Sequence, residues 1–86
     1  MPETMKPFTY KFIRIGRDTG SETWAGKPVW YIFNRRDGGA IGRLLWYTGW
    51  RMWIASFSEE SIWSADCLAD VQDAIARLTR GEEPPT

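Results

Sequence analysis

The side chains able to do chemistry are few. Cys67 is the single thiol, and the sequence contains no histidine at all. A helix N-terminus can lower a thiol pKa, and Cys67 falls in the first turn of an expected helix, but it borders the apolar stripe of that helix and has no basic partner near it in sequence. An inert, packed thiol is the ordinary outcome. Glu59-Glu60 with Asp66 and Asp70 offer carboxylates at spacings where one could act as acid and another as base. They fall in a polar connection and at a helix start, where solvated capping charges are normal. The closely spaced glycines of Gly38-Gly39-Ala40-Ile41-Gly42 lie where a hairpin is expected, without the strand-to-helix turn that cradles phosphate. Zinc sites, histidine triads and cysteine clusters are excluded by composition. The expectation is a non-enzymatic protein with no cofactor and no metal.

The elements that must position these residues follow from periodicity. Phe8–Ile15 alternates Phe8, Tyr10 and Phe12 against Thr9 and Lys11, then loses phase at Ile13, which predicts a first strand with a bulge. Arg17 to Pro28 has the Gly, Ser, Asp and Pro content of a loop. Residues 29–34 are aromatic and β-branched and run into Asp37-Gly38, a hairpin turn pair. Ile41–Tyr47 and Trp50–Phe57 follow, joined through Thr48-Gly49 as a two-residue turn. From Ala65 the period changes, with Leu68, Val71, Ile75 and Leu78 forming a helical stripe, Ser64 as N-cap and Gly81 as C-terminal stop. The expected fold is α+β: a four-stranded antiparallel β-meander with one C-terminal α-helix packed on one face, in the order β-β-β-β-α. A single domain over residues 7–80 is expected, with a flexible segment at 1–6 and a disordered acidic, proline-containing tail at 81–86.

Six tryptophans among 86 residues are the one strong compositional excess, and alternation in the last hairpin distributes them. One face carries Ile41, Arg43, Leu45, Tyr47, Trp50, Met52 and Ile54. The other carries Leu44, Trp46, Arg51, Trp53, Ala55 and Phe57. A two-residue turn at Asp37-Gly38 would put Trp30 and Ile32 with the first set, and a three-residue loop would put them with the second. One helix can shield one face, and the Leu44, Trp46, Trp53, Phe57 face has the single charge. Arg43, Tyr47, Trp50 and Met52 are then left on an outer surface of the residue types that anchor interfaces. A protein partner, a homodimer, or cover by the loop from Arg17 to Lys27 are the three ways to satisfy it.

The formal net charge is zero, from eleven basic and eleven acidic residues, yet the charges are divided by position. Residues 1–56 hold nine basic and four acidic side chains, and residues 57–86 hold two basic and seven acidic. A basic sheet joined to an acidic helix permits two opposite uses. Arg35, Arg36, Arg43 and Arg51, interleaved with aromatics, suit nucleic acid by phosphate contact and stacking. Glu59, Glu60, Asp66, Asp70 and Asp73 suit a protein's basic groove. No apolar run reaches the length of a membrane span, no signal-peptide pattern opens the sequence, and one unpaired Cys suits a reducing compartment, so a cytoplasmic, non-membrane protein is expected.

Leu44-Leu45-Trp46-Tyr47, Trp50-Arg51, Trp53 and Phe57, followed by Trp63-Ser64-Ala65, Cys67-Leu68-Ala69-Asp70 and Ile75, resemble a family of small proteins carried by phages and prophages, in which a Trp-rich hairpin precedes a Cys-Leu helix. The resemblance covers about residues 29–78 and brings no assigned site. As a class it implies an anti-CRISPR-like inhibitor acting in a bacterial host by binding a CRISPR effector complex. The alternative is a small nucleic-acid-binding domain, similar in outline to the three-stranded DNA-reading sheets of integrases. A homodimeric accessory protein with no separate activity is third.

Overall fold

The computed structural model describes residues 7–17 and 22–84; the expected flexible segment 1–6 and the last two residues of the expected tail lie outside these. The strands are β1 (Ile13–Gly16), β2 (Thr23–Trp24), β3 (Lys27–Pro28), β4 (Trp30–Asn34), β5 (Ala40–Tyr47) and β6 (Met52–Phe57), and α1 spans Ala65–Thr79. A four-stranded antiparallel sheet in the order β1-β4-β5-β6 is the expected meander, and β2-β3 adds a small hairpin inside the expected loop. That hairpin turns on Ala25 and Gly26, both with positive φ, the backbone that a two-residue turn requires. Among the described residues no helix is long and apolar enough to cross a membrane.

The core lies between α1 and one sheet face. Ile13, Ile15, Trp30, Ile32 and Leu44 from the sheet meet Val71, Ala74 and Leu78 from α1, with Trp53 and Ala55 packed at the margin. This is the face expected to take the helix. Ser64 caps α1 by accepting the Cys67 amide at 3.1 Å, and Gly81, at φ 91°, ends it.

Four details differ from expectation, each for a local reason. Phe8–Ile15 is not one strand: the chain folds back, with the Tyr10 amide donating to the Ile13 carbonyl at 2.8 Å and the Ile15 amide to the Phe8 carbonyl at 2.8 Å. The loss of phase at Ile13 marks a reversal, and Phe8, at φ 70°, is buried in the core. The β5–β6 connection is four residues, since Tyr47 pairs with Met52 and not with Trp50. A shift of two leaves the residues that remain in β5 and β6 on their expected faces, while Trp50 and Arg51, expected at the start of the strand, lie in the turn. Between β4 and β5 a four-residue loop closes on the Asn34–Gly39 pair and a bulge separates Ile32 from Phe33. Together they place Trp30 and Ile32 on the core face opposite Leu44 and Gly42. The helical stripe centres on Val71, Ala74 and Leu78, while Leu68 is largely exposed.

The first described segment is tied to the helix by one polar contact. Tyr10 donates its hydroxyl to Asp73 Oδ2 at 2.7 Å, and Arg77 Nε donates to the same oxygen at 2.8 Å. Arg77 also pairs with Glu82 at 2.9 Å, and Pro84 is buried, so Gly81–Pro84 return to the body of the domain. The Tyr10 hydroxyl, and after it Arg77, hold the Asp73 carboxyl below the usual carboxylate range. A carboxyl lowered in the folded state stabilises above its ordinary pKa of about 4 and loses that contribution as pH falls through the folded value. Tyr10→Phe is therefore expected to cost about 1 kcal/mol near neutral pH, read from urea midpoints, with the gap from wild type closing as pH drops below about 4. Ile32→Ala, at a fully buried position, is expected to cost about 3 kcal/mol at any pH.

Candidate interaction surfaces

Three surfaces gather the residues singled out by sequence. The first is a groove of about 470 Å³ between the folded-back segment and α1, walled by Phe8, Tyr10, Phe12 and Ala69, with Lys11 on the segment side and Asp66, Asp70 and Arg77 on the helix side. Asp66, Asp70, Asp73 and Arg77 recur at helical spacing and so share one flank of α1. Burial, then repulsion from Asp66 and Asp73, raises the Asp70 carboxyl above its ordinary pKa. Asp73 is engaged by Tyr10 and Arg77, which makes it part of the frame and leaves Asp66 and Asp70 as the groove's carboxylates. Glu59 and Glu60 stand apart in the exposed turn after β6, and no ion pair holds them among the described residues. The aromatic wall is not part of the sequence expectation. Its alternation in Phe8-Thr9-Tyr10-Lys11-Phe12 is visible, but the reversal at Lys11-Phe12, closed by the Tyr10 amide on the Ile13 carbonyl, carries no Gly, Pro, Asn or Asp to announce it.

The second surface is an aromatic knuckle at one end of the sheet. Arg43, Tyr47 and Met52 share the outer face by register, and Trp50 projects from the loop with its ring edge-on to Tyr47 at 5.1 Å. Trp24 from the β2–β3 hairpin joins them across a hollow of about 420 Å³ lined by Trp24, Ala25, Tyr47, Thr48 and Gly49. Trp50 is 66% exposed and Trp24 56%. The rest of the outer face is not open: Leu45 and Phe33 are buried, and the Arg14 guanidinium lies 4.2 Å from the Phe33 ring centre. Arg43 sits in that middle region, partly buried, paired with Tyr31 and Ser56.

The third surface is basic and smaller than the sequence suggests. Lys11, Arg35 and Arg36 border a notch of about 390 Å³ beside Phe12 and Asn34, where Arg35 Nη1 donates to the Tyr10 carbonyl at 2.6 Å. Arg51 lies beyond the far end of β5, whose eight residues span roughly 26 Å. The four arginines of the nucleic-acid reading therefore occupy two ends and the middle of the sheet, and Lys11 is the notch residue that reading omits. Compared with known protein families, curated proteins and solved structures, the chain matches none.

Exposure at the knuckle separates binding from stability. Trp50→Ala is expected to shift the urea midpoint by no more than about 0.5 kcal/mol, whereas Trp30→Ala, in the core, is expected to cost about 3 to 5 kcal/mol at unchanged m-value.

Proposed function

We propose that this chain is a non-enzymatic binding protein of phage or mobile-element type, an anti-CRISPR-like inhibitor that docks onto the basic surface of a nucleic-acid-handling effector complex. The observation that carries the reading is the groove beside α1, a hollow walled by aromatic rings where Asp66 and Asp70 stand with Lys11 and with an Arg77 already paired to Asp73 and Glu82. An Arg or Lys side chain from a nucleic-acid channel would lay its stem along Tyr10, take the place of the Lys11 ammonium that lies 5.2 Å from the Phe12 ring centre, and reach Asp66 or Asp70. The crowding of like charge around Asp70 is relieved when such a cation enters. Glu59 and Glu60, in the exposed turn after β6, carry the same negative sign at a separate place on the surface, which speeds encounter with a positive surface.

A second reading is favoured by the notch of Lys11, Arg35 and Arg36 beside the exposed ring of Phe12. Phosphate contact at three basic residues with one stacking ring would give weak, salt-sensitive binding to single strands.

One experiment addresses both. The tagged chain is used to capture complexes from a bacterial host lysate, and each captured complex is assayed for nucleic-acid binding with and without the chain. The expected result is capture of a nucleic-acid-binding complex whose binding the chain inhibits, with inhibition at least about tenfold weaker for Asp66→Lys/Asp70→Lys of unchanged circular dichroism. Direct micromolar binding of the chain to random DNA, falling steeply with salt and lost in Arg35→Glu/Arg36→Glu, would establish the second reading instead.

A further inference from the structure

We propose that the aromatic knuckle is a stacking site for single-stranded nucleic acid, where bases lie on Trp24 and Trp50 and phosphates meet Lys27 and Arg51. The site shares no residue with the groove beside α1. It also stands at the end of the sheet away from the notch of Lys11, Arg35 and Arg36, so it rests on neither reading above.

The rings come from two turns that meet at the end of β5. In the β5–β6 turn the Trp50 amide donates to the Tyr47 carbonyl at 3.2 Å, which brings the Trp50 ring edge-on to Tyr47. Gly49 lies against the same tyrosine: a Cβ added there would stand 3.0 Å from both Cε2 and Cζ of its ring. The φ of Gly49 is not in the left-handed region, so the position uses glycine for room and not for backbone freedom. Tyr47 is thereby fixed by Gly49 and Trp50, with Trp24 across the hollow. Rings held in place before a ligand arrives lower the ordering cost of binding.

The charges beside these rings have one sign. Lys27 pairs with Trp24 across the β2–β3 hairpin, which sets the two side chains on one face of it, and Lys27 Nζ stands 5.1 Å from the Trp46 ring centre. Arg51 follows Trp50 in the turn and is exposed. Neither cation is in an ion pair, since those among the described residues all belong to Arg77 and Arg80. No carboxylate lines the hollow, and Glu22, just before the hairpin, is engaged by the Tyr31 hydroxyl. Exposed rings with unpaired cations and no acid are complementary to a strand of bases and phosphates. An apolar peptide would leave both cations unanswered.

The backbone singles out the same place. Ala25, at φ 55°, and Arg51, at φ 53°, are two of the three non-glycine residues at positive φ among the described residues. They sit in the two turns that carry Trp24 and Trp50. Glycine would take this conformation freely, whereas a side chain strains it. An arginine is thus held beside Trp50 against its backbone preference, and strain of this kind collects where a site is built.

Fluorescence anisotropy with the full chain tests the proposal, using a labelled oligothymidylate of about twelve nucleotides, the matching oligouridylate and a duplex of the same length. The expected result is binding of one or both single strands at about 10 µM in low salt, at least about tenfold tighter than the duplex, with Trp24→Ala and Trp50→Ala each weakening it about tenfold. Two phosphate contacts predict a loss of about sevenfold between about 50 and 200 mM salt. Arg51→Gly relieves the strained φ, so the urea midpoint is expected to hold or rise while that salt-dependent loss shrinks to about threefold. Absence of single-strand binding up to about 200 µM overturns the proposal, even if Trp50→Ala abolishes capture of a protein from lysate. So does a duplex bound as tightly as the single strands, or binding that survives both tryptophan substitutions and is lost in Arg35→Glu/Arg36→Glu.

Discussion

One helix of fifteen residues, about 22 Å long, has to bury a sheet face four strands wide. Everything else in the molecule is arranged around that shortage. The helix closes the face of Ile15, Ile32 and Leu44, and the chain fills in where the helix does not reach. On the β1 side Phe8 enters the core and Tyr10 is locked to Asp73. On the outer face Arg14 lies over Phe33 while Leu45 is buried. Among the described residues the end of the sheet carrying Tyr47, Trp50 and Met52 stays exposed, flanked only by Trp24 and Ala25 of the β2–β3 hairpin.

The Tyr10–Asp73 bond joins residues 63 positions apart, so it forms only when the first segment and the helix are both in place. It converts one of five sequence-conspicuous acids from a contact into a fixture. Burial and this bond raise the Tyr10 phenol far above its ordinary pKa, and Asp73 is lowered by the same contact. The opposite shifts of the two partners are one fact, the preference for a neutral donor on a charged acceptor. Because Asp73 is engaged in this way by Tyr10 and Arg77, Asp66 and Asp70 are the carboxylates that line the groove, together with Lys11 and Arg77.

What was legible in the sequence was governed by parity. The β5–β6 turn has four residues where Thr48-Gly49 suggests two, yet the assignment of Leu44, Trp53 and Ala55 to the core survives because the difference is even. The β4–β5 connection was ambiguous because one residue decides it, and the extra residue is a bulge that no turn motif announces. Phe8–Ile15 reads as a strand because its alternation is real, but the turn at Lys11-Phe12 has no sequence signature where neither residue is Gly, Pro, Asn or Asp. The same reversal creates the groove, so the acids at Asp66 and Asp70 were visible and the aromatic wall facing them was not. In the helix, Ala74 takes the centre of the buried face because close approach to the sheet favours a small side chain, and Leu68 is turned aside.

The two flanks of α1 then differ in kind. Asp66 and Asp70 look toward the aromatic groove, while Leu68 and Ile75 lie on the opposite flank of the helix. The division of charge between sheet and helix, invisible in a net charge of zero, meets in that groove: the folded-back segment brings Lys11 and its aromatic rings against a helix flank whose free carboxylates are Asp66 and Asp70, with Arg77 held by Asp73 and Glu82.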